Sequence, residues 1–180
     1  KVTFVPLVGG VGRVRMELHA NSLAESLSRI YNGKFVPLHA PARVSSRNIR
    51  DELLKEDSLL PAIYLTQKLD IAIVGIGYPN EKSAIMATGY FKENEIESLI
   101  DRKVAGELCM QFYDIYGDTA PYKDDNNVIG MDISMLRSVP RSIGIAGGVE
   151  KLRAVRGAIN GHYINTLITD IECAEALISE

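Results

Sequence analysis

Short apolar runs recur along the chain, separated by turn residues and by segments of mixed polarity. The run over residues 2–8 is nearly all apolar, which is typical of a strand buried on both faces of a sheet. Residues 70–74 have the same character. On this pattern we predict strands over residues 2–8, 35–38, 70–74, 108–113, 142–146 and 164–168.

Helical spacing marks the segments between these runs. From Met16 to Ile30 the apolar residues can share one face, and Asn32-Gly33 then ends the helix. Residues 80–90 show no clear period. Residues 119–131, rich in Asp, Asn and Tyr, are predicted to form a surface loop or hairpin. Helices are predicted over residues 16–31, 45–55, 58–68, 94–102, 133–138, 150–160 and 169–178.

The last predicted helix has a recognisable start. Thr169 and Glu172 hold the two key positions of a capping box, and Asp170 is expected in the capping region. Asp70 lies at the amino end of a predicted strand, away from the edge where ligands bind, so we predict a structural role for it.

Alternation of strands and helices predicts an α/β domain over residues 1–180, with a mostly parallel sheet covered by helices on both faces. In such sheets, ligands bind beyond the carboxyl ends of the strands. Three glycine-rich turns follow predicted strands: LVGGVG, IVGIG and IAGGVEK. We expect all three at one edge, where their backbones can line a pocket.

The turn over residues 142–154 is the strongest anion-binding candidate. Gly147 and Gly148 separate a strand from a helix, and the free N–H groups at a helix start attract anions. Lys151 places a cation where the helix dipole does not favour one. Without the fold argument, a tight turn followed by a solvated lysine explains the same pattern.

Composition narrows the class of protein. The chain is 46% hydrophobic and 24% charged, with a net charge of −3, so it lacks the basic surplus of a nucleic-acid-binding surface. Cys109 and Cys173 have no metal-ligand spacing. We predict two free thiols in the cytoplasm, with a disulfide as the alternative. No apolar run is long enough to span a membrane, and we find no signal peptide at the start of the chain. Because the chain begins at Lys1, we expect it to be part of a longer protein.

Other polar residues allow two interpretations each. Glu107 precedes an apolar run and can accept hydrogen bonds from sugar hydroxyls, pair with Lys151, or be an exposed loop residue. His19 is an isolated histidine and more often structural. Arg13 and Arg15 can meet a phosphate or lie on the surface. No metal, nicotinamide or nucleophile motif is present, and we predict no cofactor or metal.

Several segments together resemble a known family. These are PLVGGVGRVRMELHANSLAESLS, LHAPARVSS, DIAIVGIG, AGEL through FYDIYGD, SIGIAGGVEKLRAVRGAI and NTLITD, in this order. They resemble the effector-binding domain of the SorC family of bacterial sugar-operon transcription regulators. The resemblance implies a three-layer α/β/α fold similar to the NagB/RpiA/CoA-transferase type, a sugar or sugar-phosphate effector, no catalysis, and assembly into a dimer or tetramer.

The resemblance also assigns site residues. Lys151 falls on the pocket lysine, Glu107 on the acidic residue that binds effector hydroxyls, and His19 on a polar position of the pocket. Two family elements are absent from this chain: the N-terminal helix-turn-helix domain that would contact operator DNA, and the first strand–loop unit of the fold. The full effector-binding set is Gly9, Gly10, His19, Glu107, Gly147, Gly148 and Lys151.

We therefore predict an effector-sensing domain of a sugar-operon regulator rather than an enzyme. One alternative is a sugar-phosphate isomerase or deaminase on the same fold, because a Glu107–Lys151 pair can perform acid–base chemistry. A purely structural oligomerisation domain is another.

Overall fold

The computed structural model describes residues 1–12, 19–80 and 83–179. The predicted single domain divides into two compact units. The first comprises Lys1–Lys68, Thr88–Tyr90 and Asn127–Met131, and the second comprises Leu69–Ala87, Phe91–Asn126 and Asp132–Glu180.

In its described residues, the first unit contains a short parallel strand pair and three α-helices. The two strands pair with Thr3 opposite Lys34. They are shorter than predicted, because Pro6 and Pro37 interrupt both apolar runs and proline has no N–H to donate to a ladder. The elements are β1 Thr3–Phe4, α1 Ala20–Ile30, β2 Lys34–Phe35, α2 Arg47–Leu53 and α3 Leu60–Thr66.

The three helices of the first unit form within the segments predicted to be helical. α1 begins at Ala20, and the predicted residues 16–18 lie outside the described part of the chain. The hydroxyl of Ser46 accepts a hydrogen bond from the N–H of Ile49 and caps α2. Pro61 is tolerated in the first turn of α3. The core of this unit consists of Leu38, Leu59, Ala62 and Ile129.

The second unit is built on a parallel sheet of three strands in the order β3–β6–β7. Ile73 lies opposite Ile143, which lies opposite Thr166. The predicted α/β class with a parallel sheet is confirmed. Its elements are β3 Ile71–Gly75, α4 Ala84–Ala87, α5 Glu93–Asp101, β4 Gly106–Leu108, β5 Gln111–Tyr113, β6 Arg141–Ile145, α6 Leu152–Asn160, β7 Thr166–Ile168 and α7 Ile171–Ser179, with 3₁₀ helices at Ala120–Asp125, Ile133–Ser138 and Val149–Lys151.

The single strand predicted over residues 108–113 is wrong. The segment folds as an antiparallel hairpin of β4 and β5, with Glu107 opposite Phe112. Cys109 and Met110 form the turn with φ of +50° and +63°. Such two-residue turns normally carry Asn or Gly, so the sequence gives no signal for this one. Both cysteines are free thiols, as predicted.

The surface loop or hairpin predicted over residues 119–131 is also wrong. Residues 120–125 form a 3₁₀ helix with Tyr122 buried. Val128, Ile129 and Met131 are buried as well. The polar run from Lys123 to Asn127 dominates the composition of this segment, so the sequence does not indicate that the residues on either side of it are buried.

Asp170, rather than Thr169, caps the last helix. Its Oδ1 accepts a hydrogen bond from the N–H of Cys173 at 2.8 Å. The hydroxyl of Thr169 is buried and has no hydrogen-bond partner among the described residues. The predicted capping box is therefore wrong, whereas the placement of Asp170 in the capping region is confirmed.

Tyr113 ties the hairpin to α6. Its buried hydroxyl donates a hydrogen bond to the carbonyl of Ala154 at 3.0 Å. Ser142 of β6 donates to the carbonyl of Tyr163 at 2.6 Å, and the Tyr163 hydroxyl donates to Gly117 at 2.6 Å. These bonds hold β4, β6 and the start of α6 in fixed positions, and the candidate site lies on those elements. No helix in the described ranges is long and apolar enough to cross a membrane.

Candidate functional site

A cavity of about 220 Å³ opens in the second unit. It is bounded by the segment after β3, by β4 and by the 3₁₀ turn that precedes α6. Two of the predicted site residues, Glu107 and Lys151, line this one cavity. The described residues that line it are Gly77, Tyr78, Asn80, Ser83, Ile85, Glu107, Glu150 and Lys151.

Gly77 and Glu107 form one wall of the cavity. The N–H of Gly77 donates to the carbonyl of Glu107 at 3.0 Å, and the N–H of Glu107 donates to the carbonyl of Gly77 at 2.9 Å. The Glu107 carboxylate lies directly against the Cα of Gly77, in the space that any Cβ at position 77 would occupy. Position 77 therefore has to be glycine for Glu107 to hold this position.

Glu107 carries a carboxyl group whose pKa is strongly shifted. Its Oε2 accepts a hydrogen bond from the N–H of Met110 at 2.8 Å. Burial raises its pKa from 4.5 to about 7, and neither the Met110 hydrogen bond nor the charge of Lys151 compensates for the loss of water. The group lies in β4, so the interpretation as an exposed loop residue is wrong. Near neutral pH it can therefore both accept and donate hydrogen bonds.

Lys151 places a positive charge in the same cavity. It ends the 3₁₀ turn Val149–Lys151 and is half-buried. Its ammonium lowers the pKa of Glu107, yet no ion pair joins the two, and within the described ranges Lys151 has no ion-pair partner. The charge thus remains available to a molecule in the cavity.

The Gly147–Gly148 turn is held by Asp170. The N–H of Gly148 donates to Oδ2 of Asp170 at 2.6 Å, so a carboxylate of the protein occupies the place where we expected a ligand anion. Gly148 has φ of +93°, which favours glycine, and the chain then enters a 3₁₀ turn before α6 begins at Leu152. The role of both glycines in ligand binding stays a prediction.

The three remaining predicted residues lie in the first unit. The N–H of Gly9 donates to the carbonyl of Ile129 at 2.9 Å, and that of Gly10 donates to Ala40 at 2.7 Å. His19 immediately precedes α1. The assignment of Gly9, Gly10 and His19 to an effector site stays a prediction. Arg13 and Arg15 lie outside the described residues.

Sequence reasoning missed most of the polar residues of the cavity wall. Tyr78, Asn80 and Ser83 lie in or beside residues 80–90, where the sequence shows no clear helical or strand period. Glu150 is predicted from the sequence only as the first residue of a helix. For Tyr78, Asn80 and Ser83 the available signal is their position just after the IVGIG turn, because that turn follows a strand of the parallel sheet. Three or more potential metal ligands do not cluster anywhere in the described ranges.

Comparison with known sequences identifies relatives over nearly the whole chain. The family model described as "Putative sugar-binding domain" matches residues 1–179. The sorbitol operon regulator of Klebsiella pneumoniae is 31% identical over 179 residues, covering 99% of this chain and 57% of that protein. The transcriptional regulator LsrR of Escherichia coli K12 is 34% identical over 181 residues, covering 99% and 55%. The chain thus spans a little over half the length of these relatives.

Solved structures show the same fold. The full-length sorbitol operon regulator SorC of Klebsiella pneumoniae matches with a TM-score of 0.90 and 31% identity, over 98% of this chain and 58% of that one. A DeoR family transcriptional regulator from Listeria monocytogenes matches with a TM-score of 0.89 and 27% identity, over 98% and 69%. The resemblance drawn from the sequence motifs is confirmed. The chain belongs to the family of sugar-binding domains found in SorC-type bacterial transcription regulators.

Proposed function

We propose that this domain senses a sugar or sugar phosphate in the cavity of the second unit and that binding controls a longer transcription regulator. The observation that carries the proposal is that Glu107 and Lys151 line the same cavity without forming an ion pair with each other. Their unused hydrogen-bonding capacity and the family membership together support a ligand rich in hydroxyl groups.

The chemistry of the two side chains suits such a ligand. A carboxyl group with a pKa of about 7 accepts a hydrogen bond from a sugar hydroxyl when ionised and donates one when protonated. The ammonium of Lys151 donates to hydroxyl, ring or phosphate oxygens. In a site partly shielded from water, each charged hydrogen bond contributes about 1.5–3 kcal/mol.

The remaining parts of the proposal follow from the resemblance to the SorC family. On that resemblance, Gly9, Gly10, His19, Gly147 and Gly148 are predicted to be effector-binding residues as well. Operator DNA would be contacted by a helix-turn-helix domain of the longer protein, assembled as a dimer or tetramer in the cytoplasm. The effector would act by favouring one of two arrangements of the assembly.

Titration calorimetry tests the proposal. The 180-residue chain is titrated with sorbitol, fructose and ribose and with the terminal phosphate ester of each. We expect at least one to bind, and Lys151→Met to weaken that binding roughly tenfold or more. Lys123→Met is the matched control, because Lys123 is exposed and lies outside the cavity. Absence of binding by all probes, or equal affinities of the two variants, would contradict the proposal.

A catalytic role is tested separately. The relatives named above are transcription regulators, which supports a domain without catalysis. We expect no turnover of ribose 5-phosphate or glucosamine 6-phosphate. Conversion that disappears in Glu107→Gln would overturn this part of the proposal and favour the isomerase or deaminase alternative.

A further inference from the structure

Ser83 carries a buried hydroxyl that no described residue hydrogen-bonds. Its Oγ is shielded from solvent and makes no hydrogen bond to any residue that the structure describes. Its backbone, by contrast, is fully engaged: the N–H donates to the carbonyl of Asn80 at 3.0 Å, and the carbonyl accepts from the N–H of Met86 at 3.1 Å. A buried hydroxyl without a hydrogen bond destabilises a protein, so its presence here calls for a reason.

The position of Ser83 supplies that reason. The residue lines the same cavity as Glu107 and Lys151. Because no hydrogen bond holds the hydroxyl in its present rotamer, rotation about χ1 can turn it towards a molecule in the cavity at little cost.

We propose that Ser83 is a ligand-contacting residue that hydrogen-bonds a neutral hydroxyl or ring oxygen of the sugar. This inference rests on the proposed function of the cavity. The described lining already contains two carboxylates, Glu107 and Glu150, against the single ammonium of Lys151. A serine hydroxyl has no charge and both donates and accepts, so it suits the polyol part of the ligand rather than an anionic group.

The proposal has an unusual thermodynamic consequence. If the Ser83 hydroxyl is unsatisfied in the free protein and satisfied only by the ligand, its removal should not destabilise the free protein. It should weaken only the complex. A purely structural serine behaves in the opposite way. Ser142 provides the example, because its buried hydroxyl donates to Tyr163.

The experiment compares Ser83→Ala with Ser142→Ala, using as probe whichever of the six sugars and sugar phosphates binds the wild type. For Ser83→Ala we expect an unchanged or higher melting temperature without ligand and a roughly five- to tenfold weaker affinity. For Ser142→Ala we expect a melting temperature lower by several degrees, with affinity within about twofold of the wild type at a temperature where it is folded.

Deoxy analogues of the probe sharpen the test. The monodeoxy sugar that lacks the hydroxyl bound by Ser83 should bind wild type and Ser83→Ala with the same affinity, because neither complex can form that hydrogen bond. Equal affinity of wild type and Ser83→Ala for the parent sugar, with Lys151→Met still impaired, would overturn the assignment of Ser83 alone. So would a lower melting temperature of ligand-free Ser83→Ala. Failure of every probe to bind the wild type would overturn the proposed function, and this inference with it.

Discussion

Two glycine turns follow neighbouring strands of the parallel sheet, and a carboxylate lies against each. Glu107 lies against Gly77 after β3, and Asp170 lies against Gly147 after β6. Asp170 accepts two backbone hydrogen bonds, from Gly148 and Cys173. Among the described residues, Glu107 accepts a single backbone hydrogen bond, from Met110, and it lines the cavity.

The difference between the two turns separates a structural carboxylate from an available one. Asp170 satisfies both of its oxygens within the protein and fixes the turn before α6 in position. Glu107 keeps hydrogen-bonding capacity unused and is desolvated enough to raise its pKa to about 7. Similar sequence patterns, a glycine turn after an apolar strand, therefore have different roles, and the number of internal donors to the carboxylate decides which.

The largest effect is expected from Gly77→Ala. The new Cβ would overlap the Glu107 carboxylate and displace it or the backbone, which should lower the free energy of unfolding by about 3 kcal/mol and impair ligand binding. Gly75→Ala is the matched control, because a Cβ at that position meets no atom within 4 Å, and its effect should stay below about 1 kcal/mol. Urea denaturation of both variants measures the difference. Similar losses in both would show that Glu107 is not packed as described.

A smaller effect is expected from Asp170→Ala. The substitution removes the helix cap and the acceptor of the Gly148 N–H, so the free energy of unfolding should fall by about 2 kcal/mol. Glu172→Ala, an exposed carboxylate in the same first turn of α7, should cost well under about 1 kcal/mol. Thermal denaturation distinguishes the two. If the variants were equally stable, Asp170 would not be the residue that holds the turn.

The smallest effect is a dependence of stability on pH. The pKa of Glu107 is raised by folding, so its folded form holds a proton that the unfolded chain has lost between pH 4.5 and about 7. The contribution of Glu107 to stability therefore declines as pH rises through this range and is constant above it. Relative to Glu107→Gln, wild type should lose about 1–2 kcal/mol over the range, since the cavity leaves the group partly hydrated.

Chemical denaturation at a series of pH values checks this prediction. Glu150→Gln, which changes an exposed carboxylate of the same cavity, should keep the pH dependence of the wild type. If the stability of wild type and of Glu107→Gln changed with pH in the same way, folding would not raise the pKa of Glu107.

Much of the second unit could be predicted from the sequence. Both β3 and β6 are short strands rich in apolar residues with glycines at or just after their ends, and their parallel orientation agrees with the predicted alternation of strands and helices. The clearest failure is the β4–β5 hairpin, because Cys109 and Met110 adopt positive φ values that nothing in their chemistry indicates. Tertiary packing, rather than turn propensity, fixes this hairpin.

Only part of the candidate site could be predicted from the sequence, because the rest also depends on tertiary packing. Glu107 and Lys151 were found through motifs that stand beside glycine turns. Ser83 lies in a segment without periodicity, and the bond from Gly148 to Asp170 joins residues 22 positions apart, so neither has a local signature. Contacts of this kind depend on how the strands are paired, which a single sequence does not reveal.

The most direct test of the central claim is a double-mutant cycle on ligand binding with Lys151→Met, Glu107→Gln and the combined variant. If both side chains hold one ligand in one cavity, their effects on the binding free energy should be coupled by about 1 kcal/mol or more. Calorimetric titration of the four proteins with the same sugar gives this value. Strictly additive losses, or unchanged affinity in either single variant, would contradict the account.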